Sequence, residues 1–252
     1  EPALREILRN VMDFDGEVSG AVELDVAEDG ELLKARFNAR IDAGRASIPS
    51  LYLQPIMLNG GRLIGAYSPE GLAFETFEIS PVINGRSFAA AKLDLDIAML
   101  PAGVQRIRLR AENTWQLSKE EALALWPNAL DDPGRRWFRE NIANARTTGQ
   151  NLTLDVEIGG TQNILHDLRA ELGFYGGALK LSDGLGYASG AAGQMEIDNG
   201  LYSVALDQAR VGPISTGQST IKVDLRNSGD PRVTVRSSTF NGPIRESLSF
   251  LS

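Results

Sequence analysis

The sequence predicts a mainly β protein, an elongated and strongly twisted antiparallel sheet interrupted by a short helical hairpin. Three observations predict it: long stretches of period-two alternation, Asn-Gly and Asp-Gly pairs between those stretches, and helical periodicity confined to a few short segments. Successive strand residues point to opposite faces, so an alternating segment has one dry and one wet side. Parallel strands buried on both faces read instead as continuous apolar runs.

The alternation begins at Val22, Leu24 and Val26 against Glu23 and Asp25, and continues as Ala35, Phe37, Ala39 and Ile41 against Lys34, Arg36, Asn38 and Arg40. It returns as Leu93, Leu95, Ile97 and Met99 against Lys92, Asp94 and Asp96, then as Ile107, Leu109 and Ala111 against Arg106, Arg108 and Arg110. The second half repeats it at Leu152, Leu154, Val156 and Ile158, at Tyr202, Val204 and Leu206, at Ile221, Val223 and Leu225, and at Val233 and Val235. Asp29-Gly30, Asn59-Gly60, Asn84-Gly85, Asp183-Gly184 and Asn199-Gly200 lie between alternating runs. Hairpin turns of type I′ need positive φ at both central residues, which these pairs tolerate best. The expectation is a meander of about a dozen strands in which consecutive strands pair.

Helical periodicity is local. Leu4, Ile7, Leu8 and Val11 follow Pro2 at helical spacing. Ser118 with Glu121 forms a capping box, and Pro127 closes the helix it opens. Asp131 or Asp132 caps a second helix that starts at Pro133 and carries Trp137, Phe138 and Ile142. Pro243 starts a last short helix with Ile244, Leu248 and Leu251 on one face. The expected division is an N-terminal β segment over 1–115, a helical insert over 116–146, and a C-terminal β segment over 147–252.

Composition narrows function. The 252 residues are 42% apolar and 23% charged, ordinary for a folded chain. No apolar run is long enough to span a bilayer as a helix. Glu1 opens the chain with no signal-peptide pattern, which reads as targeting already removed or as an excerpt of a longer protein. A net charge of −8 argues against nucleic-acid binding and against adsorption to anionic headgroups. The absence of cysteine excludes disulfides, thiolate catalysis and Cys-based zinc sites.

Catalytic patterns are thin. His166 is the only histidine, so multi-histidine metal clusters are excluded, and a Ser/His/acid triad finds no nucleophile elbow. The pairs Asp94/Asp96 and Asp155/Glu157 have the i, i+2 spacing that puts carboxylates about 7 Å apart on one strand face, within the range of an inverting glycosidase. Both fall on the wet parity, where alternation alone predicts charge, and cross-strand ion pairing explains them. The basic stripe Arg106, Arg108, Arg110 reads the same way. Gly186 to Gly193 lacks the features of a P-loop or dinucleotide fingerprint and reads as close-packed or bulged strand. The sequence therefore predicts no enzyme, no cofactor and no metal site. The dry face must be covered by a second layer or left open to bind something apolar.

One stretch resembles a known family. Leu125-Trp126-Pro127, then Arg135-Arg136-Trp137-Phe138-Arg139-Glu140-Asn141, then Arg146-Thr147-Thr148-Gly149 and the strand from Asn151 to Ile158 resemble the AsmA-like envelope proteins, in the YhdP-type branch related to TamB. The resemblance continues through Leu172-Gly173-Phe174, Gly193 to Ile197, Asp207 to Gly212 and Phe240-Asn241-Gly242-Pro243-Ile244. It covers the chain well from about Leu117 onward and less before it; the stretch from Ile164 to Asp167 departs from the family's spacing. The resemblance implies a sheet of the repeating β-groove type whose apolar floor conveys phospholipid between the inner and outer membranes. It further implies a periplasmic location in a Gram-negative bacterium, an inner-membrane anchor outside this chain, and an outer-membrane or envelope protein as partner. It carries no catalytic residues. On this reading the lipid-binding floor is Val22, Leu24, Phe37, Ile41, Leu93, Leu95, Ile97, Ile107, Leu109, Leu152, Leu154, Val156, Val204, Leu206, Ile221 and Val223. The alternative is a structural or assembly platform of the envelope with a closed β core and no transported ligand.

Overall fold

A computed structural model describes residues 13–48, 51–127, 133–159, 163–182, 186–212, 214–226, 232–237 and 240–242. The described residues are mainly β, a single antiparallel sheet that does not close on itself, with two short α-helices. In chain order the strands are β1 (Asp13–Val26), β2 (Leu32–Ser47), β3 (Ile56–Ser68), β4 (Gly71–Ile83), β5 (Arg86–Ser87), β6 (Ala91–Met99) and β7 (Gln105–Asn113). Helices α1 (Lys119–Leu125) and α2 (Pro133–Asn141) follow, then β8 (Ile142–Ala143), β9 (Arg146–Ile158) and β10 (Ile164–Ser182). The remainder is β11 (Gly186–Asp198), β12 (Leu201–Val211), β13 (Ile214–Thr216), β14 (Ser219–Asp224), β15 (Arg232–Ser237) and β16 (Phe240–Asn241). The hydrogen-bonded order runs β1-β2-β3-β4-β6-β7-β9-β10-β11-β12-β13-β16, with β14 and β15 branching from β12 and the two-residue β5 and β8 attached to β4 and β10.

Cα packing divides the chain into two compact units. The first holds residues 1–113, 127–131 and 152–167, and the second holds 114–126, 132–151 and 168–252.

In the first unit β1 to β4 follow one another in both sequence and pairing, whereas β7 pairs with β9 although residues 114–145 separate them. Asn84 and Gly85 both have positive φ, at 51° and 80°, and turn β4 into β5 as the sequence predicts. Asn59-Gly60 does not make a turn. It lies inside β3, where a register shift against β4 falls between Leu58 and Gly61. Gly60, at φ 151°, absorbs that irregularity. The reversal from β3 to β4 is made instead by Ser68 to Gly71, where the Ser68 hydroxyl donates to Glu70 Oε2 at 2.5 Å. That bond holds the Glu70 carboxyl below its ordinary range.

In the second unit, Asn199 and Gly200, at φ 48° and 86°, close the hairpin between β11 and β12. The glycine-rich stretch forms β11, with register shifts on both flanks. The capping box is formed in full: Ser118 Oγ accepts from Glu121 N at 3.2 Å, and Ser118 N donates to Glu121 Oε2 at 2.7 Å. Helix α2 begins at Pro133 as expected. The expected helices over Leu4–Val11 and from Pro243, the caps at Asp131 and Asp132, and the turn at Asp183-Gly184 lie outside the described residues. Among the described residues no helix is long and apolar enough to cross a membrane.

Candidate apolar binding surface

Cross-strand partners share a face of a sheet, so the register of the first unit fixes which side chains form its floor. Leu24 opposes Ala35, Ala35 opposes Tyr67, Tyr67 opposes Leu72, Leu72 opposes Ile97, and Ile97 opposes Ile107. Apolar side chains thus meet in one unbroken row across six strands. A second row runs Ala39, Leu63, Phe77, Leu93, Ala111. A third runs Val18, Ile41, Gly61, Ile79, Ala91. Between the first two lie Val22, Phe37, Gly65 and Phe74, with the Phe37 and Phe74 rings edge-on at 5.7 Å and Phe74 edge-on to Phe77 at 4.9 Å.

Accessibility varies along these rows. Ala35, Ile41, Ile97 and Ile107 are buried, while Phe37, Leu93, Leu95 and Leu109 are half-buried. On β1 the same face lies open, with Val22 64% and Leu24 45% exposed. Leu154 and Val156 are buried and Leu152 is half-buried. Their parity is opposite to Asp155, whose carboxylate meets Arg106, so they point to the side that Ile107 faces.

The wet face is laid out in ion pairs. Arg106 Nε and Nη2 donate to Asp155 Oδ1 and Oδ2, both at 2.8 Å, and Arg108 stands 3.5 Å from the same carboxylate. The hydrogen bonds from Arg106, with the fields of Arg106, Arg108 and His166, hold the Asp155 carboxyl below its ordinary range against partial burial. His166 Nε2 lies 2.9 Å from Glu157 Oε1. Asp94 and Asp96 stand opposite Arg110 and Arg108 in the β6–β7 register. Asp155 is thus engaged by guanidinium groups that keep it ionised. Among the described residues no group of three or more His, Cys, Asp or Glu is placed to hold a metal ion.

The second unit treats its apolar face differently. Val204 opposes Met195 and Ile221, and Val223 opposes Tyr202, so these residues share one side, and all are buried. Over that side lie the two helices: Ala122 of α1 and Phe138 of α2 face Leu172, Met195, Val204 and Leu206 around a cavity of about 20 Å³. A space of that size holds about one water molecule. Trp126 packs 5.8 Å from Phe138 and Trp137 6.2 Å from Tyr202. Gly134 is the close approach that permits this, since a Cβ there would collide with the hydroxyl and ring of Tyr202.

Several floor residues escape a sequence reading: Leu63, Tyr67, Leu72, Phe74, Phe77 and Ile79. Their alternation is present on β3 and β4 but is broken by register shifts between Ile64 and Gly65 and between Ala73 and Phe77. The break falls on β4, where Glu75 is an extra residue between the partners of Ile64 and Gly65 and gives Phe77 and Ile79 the parity opposite to Leu72 and Phe74. Comparison with family models, with curated proteins and with solved structures finds no match to this chain.

Proposed function

We propose that this chain is a periplasmic segment of an AsmA-like envelope protein that binds phospholipid on its apolar sheet face and conveys it between the inner and outer membranes. One observation carries the reading: the row from Leu24 through Ala35, Tyr67, Leu72 and Ile97 to Ile107 is apolar at every strand it crosses. At about 4.8 Å between strands, six strands give a row roughly 24 Å long. An acyl chain in one leaflet spans about 15 Å of hydrocarbon, so the row accommodates it at full length. Each methylene laid on such a surface contributes up to about 0.8 kcal/mol. Transport on this reading is passive: acyl chains travel along the rows while headgroups keep to water at the open side. An anchor outside this chain would hold it at the inner membrane, and an envelope protein would receive the lipid.

The test is mass spectrometry of an organic extract of the purified chain. Phospholipid in a fixed ratio to protein is the expected result; a lipid-free, well-folded chain would overturn the proposal. The second reading, an envelope platform without a transported ligand, draws on the second unit, where α1 and α2 cover the apolar face and leave room for about one water molecule.

A further inference from the structure

Strand β1 ends the hydrogen-bonded order, and among the described residues it pairs only with β2. It is 14 residues long and carries no proline, so roughly every second residue turns its backbone N–H and C=O outward, where no strand among the described residues receives them. Its side chains obey period two throughout. Val18, Val22 and Leu24 lie on the dry side, each more than two-fifths exposed, and Asp15, Glu17, Glu23 and Asp25 lie on the wet side.

On the wet side of the first unit opposite charges meet across neighbouring strands at several positions, while Arg40 of β2 stands opposite Arg62 of β3. Asp15, Glu23 and Asp25 stand opposite Arg45, Arg36 and Lys34 of β2, with the first two pairs at 2.9 and 3.6 Å. Farther along, Arg106 of β7 meets Asp155 of β9. Opposite charges on adjacent strands stabilise pairing and like charges oppose it.

We propose that β1 is a docking edge for an extended segment of another polypeptide that alternates apolar residues with Lys or Arg. Such a segment adds a strand to the sheet, continues the dry rows beyond Val22 and Leu24, and sets its cations against the free side of the β1 carboxylates. Main-chain hydrogen bonds supply affinity and the alternation supplies selectivity. A second copy docking β1 against β1 sets acid against acid, so the charge pattern selects against it.

The test uses the whole chain with two fluorescent peptides of about twelve residues, one alternating Lys with Val and Thr, the other alternating Glu with Val and Thr. The expected result is that the basic peptide binds about tenfold more tightly than the acidic one and slows amide exchange in β1. The combined variant Glu17→Lys, Glu23→Lys, Asp25→Lys, checked for its fold by circular dichroism, should reverse that preference. Equal binding of the two peptides, or no change in β1 exchange, overturns the proposal. So does β1 exchange in the free chain that is already as slow as in β2, since the edge is then covered. Concentration-dependent self-association that protects β1 also overturns it, because a second copy is then the occupant.

Discussion

Arg106 and Asp155, 49 positions apart in sequence, meet through two parallel hydrogen bonds of 2.8 Å. The fork of a guanidinium matches a carboxylate in this way and fixes direction as well as distance. The pair ties β9 to β7 and orients β9 so that Leu154 and Val156 enter the dry side. Asp155→Asn keeps the shape and removes the charge, and should lower stability by about 1 kcal/mol. The folded-state pKa of Asp155 is depressed. The stability it contributes is therefore present above the ordinary carboxylate range, near pH 4, and is lost as pH falls through the folded value. Urea unfolding of the wild type and variant from pH 7 down to pH 3 checks this: the gap between them should shrink toward the acid end.

Leu95 and Leu109 face each other across β6 and β7 and are both half-buried. An arginine at either position can bend its stem outward to reach water, yet its charge interrupts an apolar path. Leu95→Arg and Leu109→Arg should keep wild-type circular dichroism while losing co-purified phospholipid. Asp96→Asn, on the wet side of the same strand, should retain it. Lipid retained in a well-folded Leu95→Arg chain would sink the conduit reading.

Burial along the floor sets a gradient of mutational cost. Val156 is fully buried and Val22 is 64% exposed. Val156→Ala should cost about 2 kcal/mol through lost contacts and a residual cavity, and Val22→Ala less than about 0.5 kcal/mol. Chemical denaturation of the two variants side by side measures both.

Gly134→Ala should destabilise the second unit by about 2 kcal/mol or more, because the new methyl group occupies the place of the Tyr202 ring. Combining it with Tyr202→Ala should cost clearly less than the sum of the two single changes, as expected for residues that compete for one space. A thermal-melt double-mutant cycle reads the coupling directly.

Ser118→Ala removes the hydroxyl that caps α1 and leaves the Glu121 amide without it. The expected cost is about 1 kcal/mol. Amide exchange should quicken in the first turn of α1 while the sheet amides of β12 stay unchanged.

Much of the architecture could be read from alternation, because a solvated sheet face and a dry one impose period two on any strand between them. The strands around Leu95, Leu109, Leu154 and Val204 follow from that argument alone, and the α1 capping box from four residues. What escaped was set by irregularities that parity does not encode. Asn59-Gly60 has the composition of a hairpin turn but lies mid-strand, since residues on both sides of it find partners on β2. Between Ile41 and Ala43 of β2 an extra residue shifts the register against β1 and carries Ala46 to the side of Ile41. The helical cover of the second unit was also hidden. Helical periodicity locates α1 and α2 but does not say that Ala122 and Phe138 lie over Val204.

The strand order of the first unit has a consequence for cooperativity. Among the described residues β1, β2 and β3 each pair only with their neighbours in sequence, so the stability of this part is nearly a sum of nearest-neighbour interface terms. Contacts are short in sequence, loop-closure entropy is small at each step, and assembly proceeds strand by strand from either direction. Such a sheet does not melt as one body: the outermost strand frays first, and protection climbs inward one interface at a time.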